Sequence, residues 1–342
     1  MSGTPDGATP DAAPIFIVGA PRSGTSLLRT LLNRHPAIAL CDETYYFYYV
    51  YERRRAFGDL AAAAARRCLI DNYLATQRVR RLELPLDELA ILLMRDGTTY
   101  ASFFTTVLRF YATCHRKLRC GEKTPQHVFF IPTLRQWYPR CRIIHLIRDP
   151  RDVVASLLRM PWTSPNVLVN ARLWRDCVLA AERWSGTENL LAVRYEQLVA
   201  EPQLELQRVC SFIGEEYRHE MLVPGDAPAP AAWWFSRALE PVTTARRGTW
   251  RNELSGRHVA LIEWITGPLM RQLGYQPEAP AAGMAARLRA TAAAAVGEAH
   301  EKLRQLPRMW YYWVRPTRLA AEERRIEGRN GAAPEPTSQR HE

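Results

Sequence analysis

The stretch at 14–32, PIFIVGAPRSGTSLLRTLL, constrains the fold of this chain more than any other. Its apolar residues 15–18 have the composition of a buried parallel strand. A loop with glycine at each end, Gly19 and Gly24, follows this run, and leucines then recur at helical spacing from Leu27 on. A strand, a glycine-bounded loop and a helix in this order direct several backbone N–H groups toward one point. The stretch therefore predicts an anion-binding site near the start of an α/β domain.

The loop departs from the nucleotide-binding P-loop, G-x-x-x-x-G-K-[ST], at one decisive position. Gly19, Gly24 and Ser26 fit this pattern, but Thr25 stands where the lysine belongs. Because that lysine reaches the β- and γ-phosphates of a nucleoside triphosphate, its absence argues against ATP or GTP chemistry. Arg22 supplies fixed positive charge instead, so the loop suits a phosphate-like group with less charge than a triphosphate–Mg²⁺ complex.

Two segments resemble the donor-binding motifs of sulfotransferases that use PAPS (3′-phosphoadenosine 5′-phosphosulfate), in the bacterial and tyrosylprotein branch. PRSGTSLL resembles the 5′-phosphosulfate loop, and IIHLIRDPRDVVAS at 143–156 resembles the site of the donor's 3′-phosphate. The resemblance assigns the 3′-phosphate to Arg148 and Ser156, and a guanidinium with a hydroxyl does suit a phosphate dianion. It assigns the 5′-phosphosulfate to the loop residues Arg22, Ser23, Gly24, Thr25 and Ser26.

Two shorter segments resemble further donor-binding elements of this family. RYEQLV at 194–199 resembles a segment that follows a core strand, which implies that Tyr195 lies beside the nucleotide. RRG at 246–248 resembles a basic element that covers the 3′-phosphate, which implies donor-binding roles for Arg247 and Gly248. From the residues alone, a core tyrosine and a solvated basic loop stay open as alternatives.

Two residues compete for the role of general base. Sulfuryl transfer to an alcohol or phenol needs a base at the acceptor oxygen and positive charge at the departing bridging oxygen. Glu43, in a D-E-T context after a predicted strand at 38–40, resembles the family's glutamate base. His127 is the alternative, by analogy with a Lys-Thr-His segment, although a proline and a glutamine separate it from Lys123-Thr124 here. The resemblance also implies that Lys123 neutralises the departing oxygen or positions the acceptor.

Structural roles for these three residues remain open from the sequence. Glu43 could cap a helix that begins near Tyr45, His127 could lie in the core, and Lys123 could be a surface residue.

Apolar runs at 142–147 and 190–193 predict two more strands, and helical patterns follow each. Asp149 and Pro150 fit the N-cap and first position of a helix. Strands that alternate with helices predict a P-loop-type α/β fold, a doubly wound parallel sheet flanked by helices. We expect a disordered leader at 1–13, a sulfotransferase domain at 14–276 with a helical insertion at 59–117, and a helical, partly disordered C-terminal extension at 277–342. The insertion is a candidate lid over the acceptor.

Composition bears on the binding partners of the protein and on its cellular compartment. The chain has 342 residues, a formal net charge of +11 and seven cysteines without a CxxC pair. The charge fits an arginine-rich surface with an anionic donor, and no motif indicates nucleic-acid binding. Scattered thiols and the lack of a signal-like start or a long apolar run predict a cytoplasmic protein.

We expect PAPS as co-substrate and no metal, because the sequence has no HExxH motif and no clustered His, Cys and Asp ligands. The predicted activity is transfer of the sulfuryl group to a hydroxyl or amine of a small-molecule, carbohydrate, lipid or peptide acceptor. A homodimer, and contact of residues 308–315 with a membrane interface or a partner, stay open. The rival functions are a small-molecule P-loop kinase and a non-catalytic nucleotide-binding scaffold.

Overall fold

A parallel sheet organises the part of the chain that the computed structural model describes, residues 13–223 and 242–295 with Leu319. The predicted leader up to residue 12 and the aromatic segment 308–315 lie outside the described residues. The strands are β1 (Ile15–Gly19), β2 (Ile38–Cys41), β3 (Arg119–Lys123), β4 (Arg142–Ile147) and β5 (Leu190–Arg194). They pair in the order β2-β3-β1-β4-β5, all parallel.

Helices connect the strands and cover the sheet. Those before β4 are α1 (Thr25–Asn33), α2 (Tyr46–Tyr49), α3 (Arg54–Phe57), α4 (Ala63–Leu74), α5 (Gln77–Arg80), α6 (Leu86–Asp96), α7 (Tyr100–Cys114) and α8 (Ile131–Trp137). Those after β4 are α9 (Pro150–Leu158), α10 (Val167–Glu182), α11 (Tyr195–Ala200), α12 (Pro202–Ile213), α13 (Trp250–Glu253) and α14 (Gly256–Gln272), and residues 284–295 are also helical. Short 3₁₀ turns lie at Tyr51–Arg53, Pro125–Phe130, His219–Leu222 and Thr244–Arg246.

Both faces of the sheet are buried against helices. Phe16 belongs to the core on one face, where its ring stacks with Phe104 of α7 at 6.3 Å between centroids. Ile15 and Ile17 belong to the core on the other face, with Leu28 of α1. Every residue of β1 is buried, as expected for a central strand of a parallel sheet. The predicted doubly wound α/β fold is therefore confirmed.

The strand register brings the candidate functional residues to one edge. Lys123, the last residue of β3, pairs with Ile17 of β1, and Gly19 at the end of β1 pairs with Leu146 of β4. Ile147 at the end of β4 pairs with Arg194 at the end of β5. The carboxyl ends of parallel strands form the usual ligand-binding edge of such sheets. The segments that follow all five strands consequently meet there.

The described residues also bear on the helical segment between β2 and β3 and on the predicted cap of α9. Several helices lie between β2 and β3, whereas the domain boundaries, including those of an insertion at 59–117, stay a prediction. Asp149 caps α9 as predicted, because its carboxylate accepts the Arg151 backbone N–H at 2.8 Å. Within the described ranges, no helix combines the length and the apolar character that crossing a membrane requires.

Candidate active site

The loop after β1 turns sharply into the N-terminus of α1. Arg22 has φ of 71° and Gly24, the N-cap of α1, has φ of 99°, so both occupy the left-handed region. No side chain caps this helix, and its first-turn N–H groups have no partner within the helix. The Ser23 hydroxyl is fully buried and has no hydrogen-bond partner. An unpartnered buried hydroxyl beside open helix N–H groups is suited to receive an anion.

Gly24 also allows a close approach between this loop and the residue that follows β5. A Cβ atom at position 24 would lie 2.5 Å from Cδ2 of Tyr195. The guanidinium of Arg148, the first residue after β4, lies 4.2 Å from the centre of the same Tyr195 ring. The loop, Tyr195 and Arg148 therefore form one packed unit, in which the cation lies over the aromatic face.

Arg148 is held between two loops. Its Nη2 donates to the carbonyl oxygen of Arg246 at 2.5 Å and its Nη1 to that of Arg22 at 3.4 Å. Nη2 also lies 3.6 Å from the Asp152 carboxylate, while Nε has no hydrogen-bond partner. The Arg148 carbonyl accepts a hydrogen bond from the indole of Trp174 at 2.9 Å, which fixes the backbone at this point. Arg148 is thus a largely buried cation with donor capacity left.

A hydrogen bond joins the two segments that resemble donor-binding motifs. Nε of Arg22 donates to the Ser156 hydroxyl oxygen at 3.2 Å, across a separation of 134 residues in the sequence. Ser156 lies in α9 and is buried. The two predicted halves of the donor site therefore lie side by side.

Asp152 anchors the RRG loop to α9. Its carboxylate accepts the backbone N–H of Gly248 at 2.8 Å and that of Trp250 at 3.1 Å. Arg247 itself is exposed, and its backbone N–H donates to Thr244 at 2.9 Å. The structure thus brings Gly248 to the Arg148 helix and leaves the Arg247 side chain at the surface.

A second cluster of charges lies at the ends of β2 and β3. The Lys123 ammonium contacts the Glu43 carboxylate at 2.7 Å and that of Asp42 at 2.8 Å, and its side chain is 0% exposed. Burial tends to raise the Asp42 pKa, but Lys123 and Arg29 outweigh burial and hold that pKa well below its ordinary value. A surface role for Lys123 is excluded, because the ammonium is buried and paired.

Glu43 is partly exposed, although less so than Asp42, whose side chain is 37% exposed. The Glu43 side chain is 17% exposed and lies close enough to Tyr45 to affect the pKa of that phenol. Burial, followed by the Glu43 charge, raises the pKa of Tyr45 well above its ordinary value, so this phenol stays neutral. The Arg78 guanidinium of α5 lies 3.9 Å from the centre of the Tyr45 ring and interacts electrostatically with Glu43.

His127 lies deeper than the sequence alone indicates. Its ring is 1% exposed and makes an edge-on contact with Phe47 at 4.8 Å between centroids. Its Nδ1 lies 3.2 Å from Oε2 of Glu122, an ion-pair distance whose geometry is not that of a hydrogen bond. The described contacts therefore connect His127 to the buried Glu122.

Several residues of the site carried too weak a sequence signal to be selected. Asp42 stands directly before Glu43 at a strand end, and this position was its only signal. Glu122 precedes Lys123 in a segment whose sequence predicts a tight turn. Arg78 lies in a helical stretch with several arginines, and nothing in the sequence distinguishes it from the others. Asp152 reads as an acidic residue in the first turn of a helix, which already explains it without a link to the RRG loop.

Comparisons with known proteins find sulfotransferases both by sequence and by fold. A model of the sulfotransferase family matches residues 14–219. Protein-tyrosine sulfotransferase 2 of Gallus gallus is 24% identical over 286 residues, 78% of this chain and 70% of the relative. Nodulation protein NoeE of Sinorhizobium fredii is 25% identical over 290 residues, 76% of this chain and 65% of the relative.

A solved structure, the sulfotransferase domain of the Synechococcus olefin synthase, shares the fold. Its TM-score is 0.58 at 22% identity, over 81% of this chain and 99% of that domain. The sulfotransferase domain from the curacin biosynthetic pathway gives a TM-score of 0.54 at 19% identity, over 78% of this chain and 99% of that domain. With the family model covering more than half of its length, the chain belongs to the sulfotransferase family and is an enzyme of sulfuryl transfer.

Proposed function

We propose that this enzyme transfers the sulfuryl group of PAPS to a hydroxyl or amine of an acceptor, with Glu43 as the general base. One observation carries the proposal. The carboxyl edge of the sheet brings the Arg22–Ser156 hydrogen bond and the Lys123–Glu43 ion pair to the loops on either side of the β1 end. A donor site and a proton-accepting site are thereby built on adjacent strand ends.

The residues of the first cluster fit the donor. The buried Ser23 hydroxyl and Nε of Arg148 both lack a hydrogen-bond partner, and each is a donor suited to a phosphate oxygen. The loop residues from Arg22 to Ser26 would hold the 5′-phosphosulfate through backbone N–H groups and side chains. PAPS supplies the activated sulfuryl group, and the protein supplies binding, orientation and charge.

The 3′-phosphate would be held by Arg148 and Ser156. Since Ser156 already accepts from Arg22, its own hydroxyl proton remains available for a phosphate oxygen. Gly248, held by Asp152, places the RRG loop beside Arg148, where Arg247 would add positive charge at the rim. Tyr195, under the Arg148 guanidinium, would lie against the nucleotide.

The second cluster supports the chemical step. As the acceptor oxygen forms its bond to sulfur, its proton passes to Glu43, and the bond from sulfur to the 5′-phosphate oxygen breaks. The Lys123 ammonium, which contacts Asp42 and Glu43 at the end of β3, would supply positive charge for the departing oxygen. The nucleotide product, PAP, leaves with the electron pair of the broken bond.

Glu43 is a better base than His127 on the described contacts. The Glu43 carboxylate is partly exposed, whereas the His127 ring is buried among aromatic side chains and faces Glu122. A base has to reach the proton that it removes. Measured turnover of Glu43→Gln and His127→Asn decides between them: the proposal requires loss of activity in the first and retention of more than half in the second.

The helices between β2 and β3 form the proposed acceptor side. Arg78 from α5 already reaches Tyr45 and Tyr49 next to Glu43. The tyrosylprotein relatives are named for action on protein tyrosine, so a tyrosine peptide belongs in the acceptor panel beside sugars, phenols and lipids. Radiolabelled PAPS, offered with this panel and with cell extracts, tests the proposal; Arg22→Ala serves as the blank.

The kinase and scaffold alternatives are separated from this function by two measurements. In a thermal-shift assay, PAP should stabilise the protein without Mg²⁺, while ATP with Mg²⁺ should not. Transfer of label to any acceptor excludes the scaffold, and stabilisation by ATP–Mg²⁺ alone would contradict the proposal. Independence from metal ions stays a prediction, which turnover in the presence of EDTA checks directly.

A further inference from the structure

The buried carboxylate of Glu122 hydrogen-bonds with the residues that directly follow Glu43 and Lys123. Its Oε1 accepts the Thr44 backbone N–H at 3.0 Å and the Thr44 hydroxyl at 2.7 Å. The same oxygen accepts the Thr124 hydroxyl. Thr44 directly follows Glu43, and Thr124 directly follows Lys123. One oxygen atom thus connects the segment that carries the base with the segment that carries the ammonium.

The environment keeps this carboxylate charged. Glu122 is 1% exposed, and burial tends to raise its pKa, but His127, Thr124 and Thr44 outweigh burial and hold that pKa below its ordinary value. His127 Nδ1 lies 3.2 Å from Oε2, opposite the two threonines. Hydrogen bonds to an ionised acceptor are roughly twice as strong as those between neutral groups.

The Glu43–Lys123 pair needs such a support. The two residues come from the ends of different strands, and an ion pair alone does not fix the relative orientation of its two side chains. Glu43 is partly exposed, and its backbone lies beyond the last residue of β2. A misplacement of about 1 Å at a reacting group can cost on the order of 100-fold in rate. A fixed anchor on Thr44 limits that freedom.

We propose that Glu122 is a positioning residue for sulfuryl transfer, which fixes Glu43 and Lys123 relative to each other through Thr44 and Thr124. This inference rests on the proposed function, because it takes Glu43 as the base. It also gives His127 a role other than that of the base, since Nδ1 of the ring lies 3.2 Å from Oε2 of Glu122. Glu122 touches neither acceptor nor donor in this account and acts only through the two residues that do.

Three variants distinguish a positioning role of Glu122 from a role in folding stability alone. Glu122→Gln keeps an acceptor oxygen for the threonines, whereas Glu122→Met removes it at similar length. Thr44→Val removes one hydroxyl and leaves the backbone N–H, and it serves as the mild variant if the others fold poorly. The matched control is Glu263→Gln in α14, another buried carboxylate. It accepts the backbone N–H groups of Glu278 and Ala279 at 2.9 Å and pairs with Arg151 at 2.8 Å.

The activity readout is release of label from radiolabelled PAPS to 4-nitrophenol and to water. We expect Glu122→Met to lower kcat by about 10- to 100-fold, Thr44→Val by less, and PAP affinity to stay within about twofold of wild type. Glu263→Gln should lose thermal stability without this fall in kcat. Equal kcat in Glu122→Met and wild type would overturn the proposal, as would a parallel fall in the Glu263 variant.

A double-mutant cycle with Glu43→Gln then separates the two hypotheses. If Glu122 acts through Glu43, adding Glu122→Met to Glu43→Gln should lower the residual rate by less than about threefold, because the two losses are not additive. Full additivity would overturn the positioning role and leave the proposed base intact. Wild-type turnover of Glu43→Gln alone would instead refute the proposed function.

A readout without donor or acceptor completes the test. In a crystal structure of unliganded Glu122→Met, Thr44 should move away from β3, and the Lys123 Nζ–Glu43 Oε1 distance should exceed its present 2.7 Å. An unchanged Thr44 position and an unchanged distance would contradict the inference, even if activity has fallen.

Discussion

Replacing Arg148 with methionine should weaken binding of PAP far more than binding of AMP, which lacks the 3′-phosphate. The side chain is largely buried and its guanidinium has five N–H donors, two of which serve the carbonyl oxygens of Arg22 and Arg246. At least two donors, including Nε, remain for a phosphate. The variant removes those donors and the charge while it keeps much of the apolar stem.

The size of the effect follows from these contacts. Two hydrogen bonds to a charged group are worth roughly 3–6 kcal/mol together, and about 1.4 kcal/mol changes Kd tenfold. Asp152 lies 3.6 Å from Nη2 and already neutralises part of the charge, so the lower end applies. We therefore expect the Kd of PAP to rise by about 100-fold, and that of AMP by less than about fivefold.

Isothermal titration calorimetry with both nucleotides measures the two values. Arg159→Met is the matched control, since this arginine directly follows the same helix, is 42% exposed and pairs with Glu253. The control should bind PAP like wild type. The variant also leaves two carbonyl oxygens without a donor, but that structural loss would weaken both nucleotides alike. Equal losses for PAP and AMP would refute the assignment of Arg148 to the 3′-phosphate.

Three other predictions concern the base, the loop and the response to pH. Glu43→Gln should lower kcat by about 10²- to 10⁴-fold while calorimetry shows unchanged PAP affinity, because the base acts in the chemical step; a parallel loss of affinity would contradict its role. Gly24→Ala should lower unfolding stability by about 1–3 kcal/mol in urea titrations, since φ is 99° and the new Cβ meets Tyr195 at 2.5 Å; wild-type stability would show that the loop relaxes freely. The lowered pKa of Glu122 contributes stability that is full above its unfolded pKa of about 4.3 and is lost as pH falls through its folded value. Urea titrations from pH 6 to pH 3 should therefore show a shallower acid loss in Glu122→Gln than in wild type, and identical slopes would refute a charged Glu122.

The sequence allowed the frame of the fold to be predicted because its signals are local. The apolar runs that became β1 and β4 are short, bounded and followed by helical leucine or valine spacing. Asp149 was recognised as a cap from its position before Pro150. The sulfotransferase family followed from two motifs more than a hundred residues apart, and the family model confirms it.

What the sequence could not show depends on contacts between distant elements. The buried Lys123 ammonium is paired with two carboxylates beyond the end of a neighbouring strand. The sequence around a lysine at a strand end does not show whether such partners are present. The contact of Arg78 with Tyr45 depends on how α5 packs, which no local pattern encodes. The sequence around Glu122 does not indicate its three hydrogen-bond donors, since two of them come from Thr44, beyond the end of β2.

A crystal structure with PAP tests the central claim most directly. The account predicts that one nucleotide spans both segments, with its 5′-phosphate at the loop near Ser23 and its 3′-phosphate on Arg148 and Ser156. The Arg22–Ser156 hydrogen bond of 3.2 Å already places these segments side by side. A nucleotide bound elsewhere, or one that reaches only one of the two segments, would contradict the account.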